Sequence, residues 1–150
     1  GIDVTLFFQG VSGVDIYHAT KSAERGFKGD WNSTTAIFDA WTPDKPTQHP
    51  RLTANDPNGN MRKHSSYFVE DGSYLKLRTL QIGYTLPSSL TSRLFVSKLR
   101  IYFNAQNLFT LTKYTGMDPE LGGGVRTRGI EGMDLYPKTR LMSFGVDVTF

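Results

Sequence analysis

The sequence predicts an all-β protein: an antiparallel segment of a transmembrane β-barrel, four strands long, carrying long extracellular loops. Three observations point there. Four segments alternate apolar and polar residues with a period of two, the signature of strands with one oily and one polar face. The connections between them are long, short and long. The composition pairs a low hydrophobic content, 38%, with 13% aromatics, among them ten Phe, seven Tyr and two Trp. Barrel strands commit only alternate residues to lipid and carry aromatic girdles at their rims, although composition by itself suits a soluble all-β domain better.

The first strand is predicted over residues 2–12, where Ile2, Val4, Leu6 and Phe8 alternate with Asp3, Thr5, Phe7 and Gln9. The second spans 74–86, with Leu80, Ile82, Tyr84 and Leu86 set against Thr79, Gln81, Gly83 and Thr85. Its upstream half puts Tyr74, Lys76 and Arg78 in the apolar phase. Either that half rises into the headgroup zone, where basic side chains snorkel, or a β-bulge near Arg78 swaps the faces. The third strand, 98–112, alternates Leu99, Ile101, Phe103, Ala105, Phe109 and Leu111 with polar residues; Asn107 and Leu108 break the pattern. The fourth, 139–150, places Met142, Phe144, Val146, Val148 and Phe150 on one face. Each segment is near the ~9–11 residues a tilted strand needs to cross a bilayer. The polar faces are rich in amides and hydroxyls, as suits a wet or plugged lumen.

The loop at 18–73 runs for about 55 residues, the turn at 87–97 for about eleven, and the loop at 113–138 for about 26. Outer-membrane barrels join strands by long extracellular loops and tight periplasmic turns, so the short turn is assigned to the periplasm and Phe150 to the periplasmic rim. All seven prolines fall in connections, where the missing N–H does no harm to a ladder. Four strands cannot close a barrel, so the sheet is expected to be completed by other sequence. Gly1 opens almost directly into a strand without an initiator Met, as in a processed protein or a piece of a longer one.

Several function classes find no support. The chain has no cysteine, hence neither disulfides nor thiolate metal sites. The net charge of +3 is spread along the chain, which gives nucleic-acid binding no footprint. The histidines, His18, His49 and His64, lie 31 and 15 residues apart and match no ligand motif. Asp56, Asn58 and Asn60 around Gly59 resemble a calcium loop, but the acidic residue that should follow is missing, so a turn is the better reading. Gly122-Gly123-Gly124 marks a loop tip and no phosphate cradle. There is no nucleophile–base constellation; neither an enzyme, a metal nor a cofactor is predicted.

The run Phe68-Val69-Glu70-Asp71-Gly72-Ser73-Tyr74-Leu75-Lys76-Leu77-Arg78 continues into Gln81-Ile82-Gly83-Tyr84-Thr85-Leu86-Pro87. Then come Leu99 to Phe109, Tyr114-Thr115-Gly116-Met117-Asp118-Pro119-Glu120, Tyr136-Pro137-Lys138-Thr139-Arg140 and the strand to Phe150. Each motif is weak alone; in this order the chain closely resembles the C-terminal end of the SusC/RagA type of TonB-dependent outer-membrane transporter of Bacteroidetes. The resemblance implies the last four strands of a plugged barrel of roughly 22 strands. It implies nutrient import, of glycans or peptides, with a SusD-type surface lipoprotein as lid and energy from the TonB complex. The other expected partners are the rest of the barrel and plug, lipid and lipopolysaccharide. The plug domain lies toward the N-terminus in this family and is absent from the 150 residues. The implied location is the bacterial outer membrane. The main alternative is a soluble carbohydrate-binding β-sandwich with the loop tryptophans as platform. Its weak points are the long first loop and the lipid-like last strand.

Candidate contact residues follow. Trp31 and Trp41 lie in the first loop, where seven basic and seven acidic residues cancel. They are read first as the loop's own core, then as contacts to the lipoprotein partner, and last as ligand platforms. Lys98, Arg100 and Tyr102 should face the lumen near the periplasmic end. A structural salt bridge across the wall is preferred there to contact with plug or substrate. In the resemblance, Phe144, Val146, Val148 and Phe150 form the signal read by the barrel-assembly machinery.

Overall fold

The computed structural model describes residues 1–26, 32–92, 95–133 and 135–150. The chain divides into two units. One comprises Gly1–Ser12, Ser73–Lys113 and Pro137–Phe150, the other Gly13–Gly72 and Tyr114–Tyr136.

The first unit is an antiparallel sheet of β1 (Ile2–Val11), β4 (Tyr74–Thr85), β5 (Lys98–Thr112) and β7 (Leu141–Thr149), in that spatial order. Its register keeps the two faces separate. Val4, Ile82, Phe103 and Phe144 stand in one row, and Ile2, Tyr84, Ile101 and Val146 in another. The opposite face carries Thr5, Gln81, Asn104 and Ser143 in a row of hydroxyls and amides. A one-residue slip would exchange these faces, so the alternation fixes the pairing. The Phe103 and Phe144 rings lie 4.9 Å apart, tilted by 43°, a cross-strand aromatic contact of the kind that stabilises sheets. Phe144 is nevertheless 82% exposed.

The irregularity at Arg78 is a bulge, not a rise into the headgroup zone. Thr79 faces Phe7 and Leu77 faces Phe8, so Arg78 is skipped against β1. Against β5 the two residues Asn107 and Leu108 occupy the same step, with Thr79 opposite Gln106 and Leu77 opposite Phe109. Asn107 takes the left-handed conformation, φ 51°, which asparagine tolerates better than most residues. The bulge shifts the phase by one. Leu75 and Leu77 therefore join Phe8, Phe109 and Leu111 on the apolar face, while Lys76 shares the polar face with Gln9 and Thr110. Placing Tyr74, Lys76 and Arg78 in the apolar phase is thereby corrected: the period of two cannot be carried through an extra residue.

Two boundaries also differ from the pattern. The last ladder residue is Thr149, opposite Lys98; Phe150 lies beyond it, 89% exposed. The turn at 87–97 contains one helical turn, α2 (Ser88–Thr91), which starts at Pro87. Proline cannot extend the ladder but is well suited to the start of a helix.

The second unit shows that the two long connections are not structureless. The 13–72 segment contributes β2 (Asp15–His18), the short helix α1 (Lys21–Glu24), 3-10 turns at Thr35–Asp39 and Ser66–Phe68, and β3 (Val69–Asp71). The 114–136 segment adds β6 (Ile130–Glu131). They form a small sheet in the order β3-β2-β6, β2 pairing antiparallel with β3 and parallel with β6. Its core is built on Ile16, Ala23, Ala40, Phe68 and Tyr114.

Candidate functional site

On the polar face of the first unit, Arg100 reaches across a neighbouring strand. Its guanidinium donates to Asp3 through Nε (3.1 Å) and Nη2 (2.7 Å), and to Asp147 through Nη1 (3.2 Å). Asp3 is on β1, two strands away from β5, and the path between them crosses β4 at Gly83. A Cβ at Gly83 would collide with both the Arg100 guanidinium and the Asp3 carboxylate. Tyr102 stands in the same row, between Gly83 and Gly145, and a Cβ at Gly145 would collide with its ring. The two glycines thus open space for two long side chains to lie flat over the sheet. The Arg100 guanidinium also sits 5.1 Å from the Tyr102 ring, within cation–π range. Arg100 is thereby engaged in the wall's own ion pairs, in a bidentate geometry that arginine makes and lysine does not. Lys98 lies exposed in the end pair of the ladder, opposite Thr149.

The second unit holds a different arrangement: a cluster of charge in its interior. His18 is completely buried. Its Nδ1 lies 3.3 Å from Glu70 Oε1, and its Nε2 lies 3.1 Å from Glu131 Oε2 and 3.8 Å from Glu24 Oε2. Lys21 Nζ pairs with Glu70 Oε1 at 2.9 Å, donates to the Tyr67 carbonyl at 2.6 Å and sits 4.2 Å from the Tyr67 ring centre. Thr115 donates both its amide (3.0 Å) and its hydroxyl (2.7 Å) to Glu70 Oε2. Glu131 accepts from the Thr20 hydroxyl at 2.6 Å and the Met117 amide at 3.3 Å. The Tyr114 ring packs 5.2 Å from the imidazole.

Burial pushes the Glu70 carboxyl up, but hydrogen bonds from Lys21, from the Thr115 amide and hydroxyl and from His18 outweigh it and hold it at about 2. Burial and the neighbouring Glu131 carboxylate raise the Tyr114 hydroxyl well above the usual tyrosine range. Among the described residues no group of His, Asp and Glu is arranged to hold a metal ion. The Glu70 and Glu131 carboxylates are taken up by N–H and O–H donors.

The other two histidines pair with tyrosines in the same unit. His64 Nδ1 lies 2.8 Å from the Tyr17 hydroxyl, and His49 Nδ1 lies 3.3 Å from the Tyr67 hydroxyl. Trp41 is 37% exposed, outside the core, and borders an open hollow of about 140 Å³ with Arg51, Asp56, Asn58 and Asn60. Trp31 lies outside the described residues. Asp56 is a turn-former: its carboxylate accepts the amides of Asn60 (2.8 Å) and Met61 (3.0 Å), with its own φ at 38°.

The ionic cluster was not anticipated from the sequence. A signal for His18 was available, because it shares the strand face of the buried Ile16. A titratable residue in the apolar phase of a strand asks for a buried partner. The partners themselves could not be read locally.

No protein-family model matches the chain. TonB-dependent receptor P3 of Formosa agariphila is 35% identical over 155 residues, covering 99% of this chain and 15% of that protein. The chain is homologous to the TonB-dependent receptors. TonB-dependent receptor SusC of Bacteroides thetaiotaomicron is 30% identical over 81 residues, 53% of this chain and 7% of SusC. The solved structure of the RagAB peptide transporter matches with a TM-score of 0.78 and 28% identity, over all of this chain and 16% of the matched chain. The chain therefore spans about 15% of the length of the curated relative that matches nearly all of it. The antiparallel sheet with one exposed apolar face is a β-barrel segment with the fold of the matching part of the RagAB transporter.

Proposed function

We propose that the chain is the C-terminal barrel segment of an active importer of the bacterial outer membrane. It supplies four wall strands and two external connections folded into a unit of their own. The observation that carries this reading is the exposed apolar face of the sheet, in register over all four strands, in a chain whose homology to TonB-dependent receptors extends over nearly its whole length. A face of that size in water would be an association site; against lipid it needs no cover.

In the whole protein, glycans or peptides are the imported class. A SusD-type lipoprotein acts as lid, and the TonB complex works through a plug domain supplied by other parts of the sequence. RagAB, a peptide importer, and SusC support this assignment as relatives. In this arrangement α2 lies at the periplasmic rim and the second unit outside the cell. Phe144, Val146, Val148 and Phe150 serve as assembly signal, while Lys98, Arg100 and Tyr102 line the lumen near the periplasm. Trp41 belongs to the external unit, where a tryptophan serves packing or the contact with the lipoprotein.

The test is membrane fractionation of the full-length protein, followed by purification and uptake assays. The expected result is an outer-membrane protein that requires detergent, co-purifies with a surface lipoprotein, and whose deletion abolishes uptake of an oligosaccharide or peptide. A full-length protein that is monodisperse in buffer without detergent would overturn the reading and revive the soluble sandwich.

A further inference from the structure

The hollow beside Trp41 joins an aromatic ring to polar groups that the fold does not use. Trp41, Arg51, Thr53, Asp56, Asn58 and Asn60 line it. The backbone on both sides is fixed locally. Trp41 donates its amide to the His49 carbonyl at 3.1 Å, and Thr42 and Lys45 exchange backbone bonds of 3.1 Å. On the other side the Asp56 carboxylate accepts the amides of Asn60 (2.8 Å) and Met61 (3.0 Å), and Gly59 donates to the Asp56 carbonyl at 2.9 Å. Gly59, between the two asparagines, takes φ 66°, a conformation glycine adopts without strain. The hollow is thus shaped before a ligand arrives, which keeps the ordering cost of binding low.

Its side chains are left open. Among the described residues, the Arg51 guanidinium, the Trp41 indole N–H and the side-chain amides of Asn58 and Asn60 have no hydrogen-bonding partner. Their chemistry narrows what fits. Arg51 and Asp56 bring one charge of each sign, so the lining has no net charge to draw an ionic group. A wholly apolar group would take water from the guanidinium and the amides without replacing its hydrogen bonds. A pyranose ring meets both demands: it has a C–H face for the indole and hydroxyls that donate and accept. Asparagine amides also do both, and arginine donates. The volume of about 140 Å³ is well below the ~300–1,000 Å³ that encloses a drug-sized ligand. One ring of a longer chain fits, with its neighbours outside.

We infer that the Trp41 hollow is a subsite for one neutral pyranose unit of an oligosaccharide. The ring stacks on the indole, and Arg51, Asn58 and Asn60 hydrogen-bond to its hydroxyls. The subsite itself stands apart from the transporter assignment. Its meaning for transport rests on that reading, and there it selects glycans over peptides as the imported class.

The test uses the full-length protein in detergent and a printed panel of neutral oligosaccharides: glucans, mannans, xylans and galactans. Acidic oligosaccharides and peptides serve as comparison. Trp41→Ala, Trp41→Phe and Asn60→Ala are measured beside the wild type, and each is checked for wild-type protease resistance within 13–72. The expected result is binding of a neutral oligosaccharide, weakened about tenfold or more by Trp41→Ala and in part restored by Trp41→Phe. Asn60→Ala should weaken it about three- to tenfold and leaves in place the backbone amide that Asp56 accepts. Should Trp41→Ala lose protease resistance, Asn60→Ala decides alone. A panel on which no neutral oligosaccharide binds overturns the proposal, and so does binding that Trp41→Ala leaves unchanged. Peptide binding that depends on Trp41 in the same way also overturns it. So does loss of the lipoprotein from Trp41→Ala with saccharide binding intact, which would make the hollow a protein contact. Failure here leaves membrane fractionation and uptake unaffected, so it is distinguishable from failure of the transporter reading.

Discussion

In the sheet unit most large apolar side chains stay on the outside, as Phe144 does at 82% exposure; the connection unit encloses Phe68 at 1% exposure, although Phe38, Met117 and Val125 remain outside. Their charges are arranged the opposite way. The sheet keeps its ion pairs on an open polar face, where Asp3 and Asp147 remain partly solvated around Arg100. The connection unit buries its charges around His18. The difference teaches where each unit finds its stability. The sheet depends on the medium that covers its apolar face, and its register matters more than its packing. The connection unit supplies its own core and its own counter-charges, so individual side chains matter more.

That contrast can be broken or sharpened. The largest effect is expected from Phe68→Ala, which empties the centre of the connection unit and should cost about 3–5 kcal/mol there. Limited proteolysis of the full-length protein should show cleavage within 13–72, while the heat-modifiable mobility of the folded barrel is kept. Loss of the barrel species as well would mean that the two units fold as one.

Acid should act on the same unit. The Glu70 carboxyl sits at about 2 in the folded chain against an ordinary value of 4.5. Its stabilisation is therefore complete above 4.5 and is lost as pH falls from there towards 2. The amount is on the order of 3 kcal/mol, and Glu70→Gln should remove this acid step together with part of the neutral-pH stability. Protease sensitivity of residues 13–72 against pH is the measurement; an unchanged acid step in Glu70→Gln would assign it to other carboxylates.

In the sheet, Phe144→Lys places a charge on the apolar face and should cost about 2–4 kcal/mol near the middle of a bilayer, lowering the folded amount in outer membranes. Ser143→Lys, one residue away on the polar face, should insert normally. Equal tolerance of both would remove the case for lipid on that face. A smaller loss is expected from Asp56→Ala, which removes the acceptor of two turn amides and should cost about 1–2 kcal/mol, visible as faster cleavage near residues 56–61. The smallest change is expected at the exposed Lys98: Lys98→Ala should stay within about 0.5 kcal/mol in denaturant titrations of the inserted barrel.

The sequence determined the local elements. Alternation in four segments is a property of neighbours along the chain, so the alternating segments, the unequal connections and the faces away from the Arg78 bulge could be read from it. The sheet is built of Ile2–Val11, Tyr74–Thr85, Lys98–Thr112 and Leu141–Thr149. Tertiary structure decided everything that depends on residues far apart. Whether Arg78 snorkels or sits in a bulge turned on the register of two other strands. Gly83 and Gly145 acquired meaning only when Arg100 and Tyr102 were seen to lie over them. His18 meets Glu70 across 52 residues of chain, and Thr20 meets Glu131 across 111. No periodicity encodes such meetings, because a buried charge is matched by whichever partner the fold brings to it.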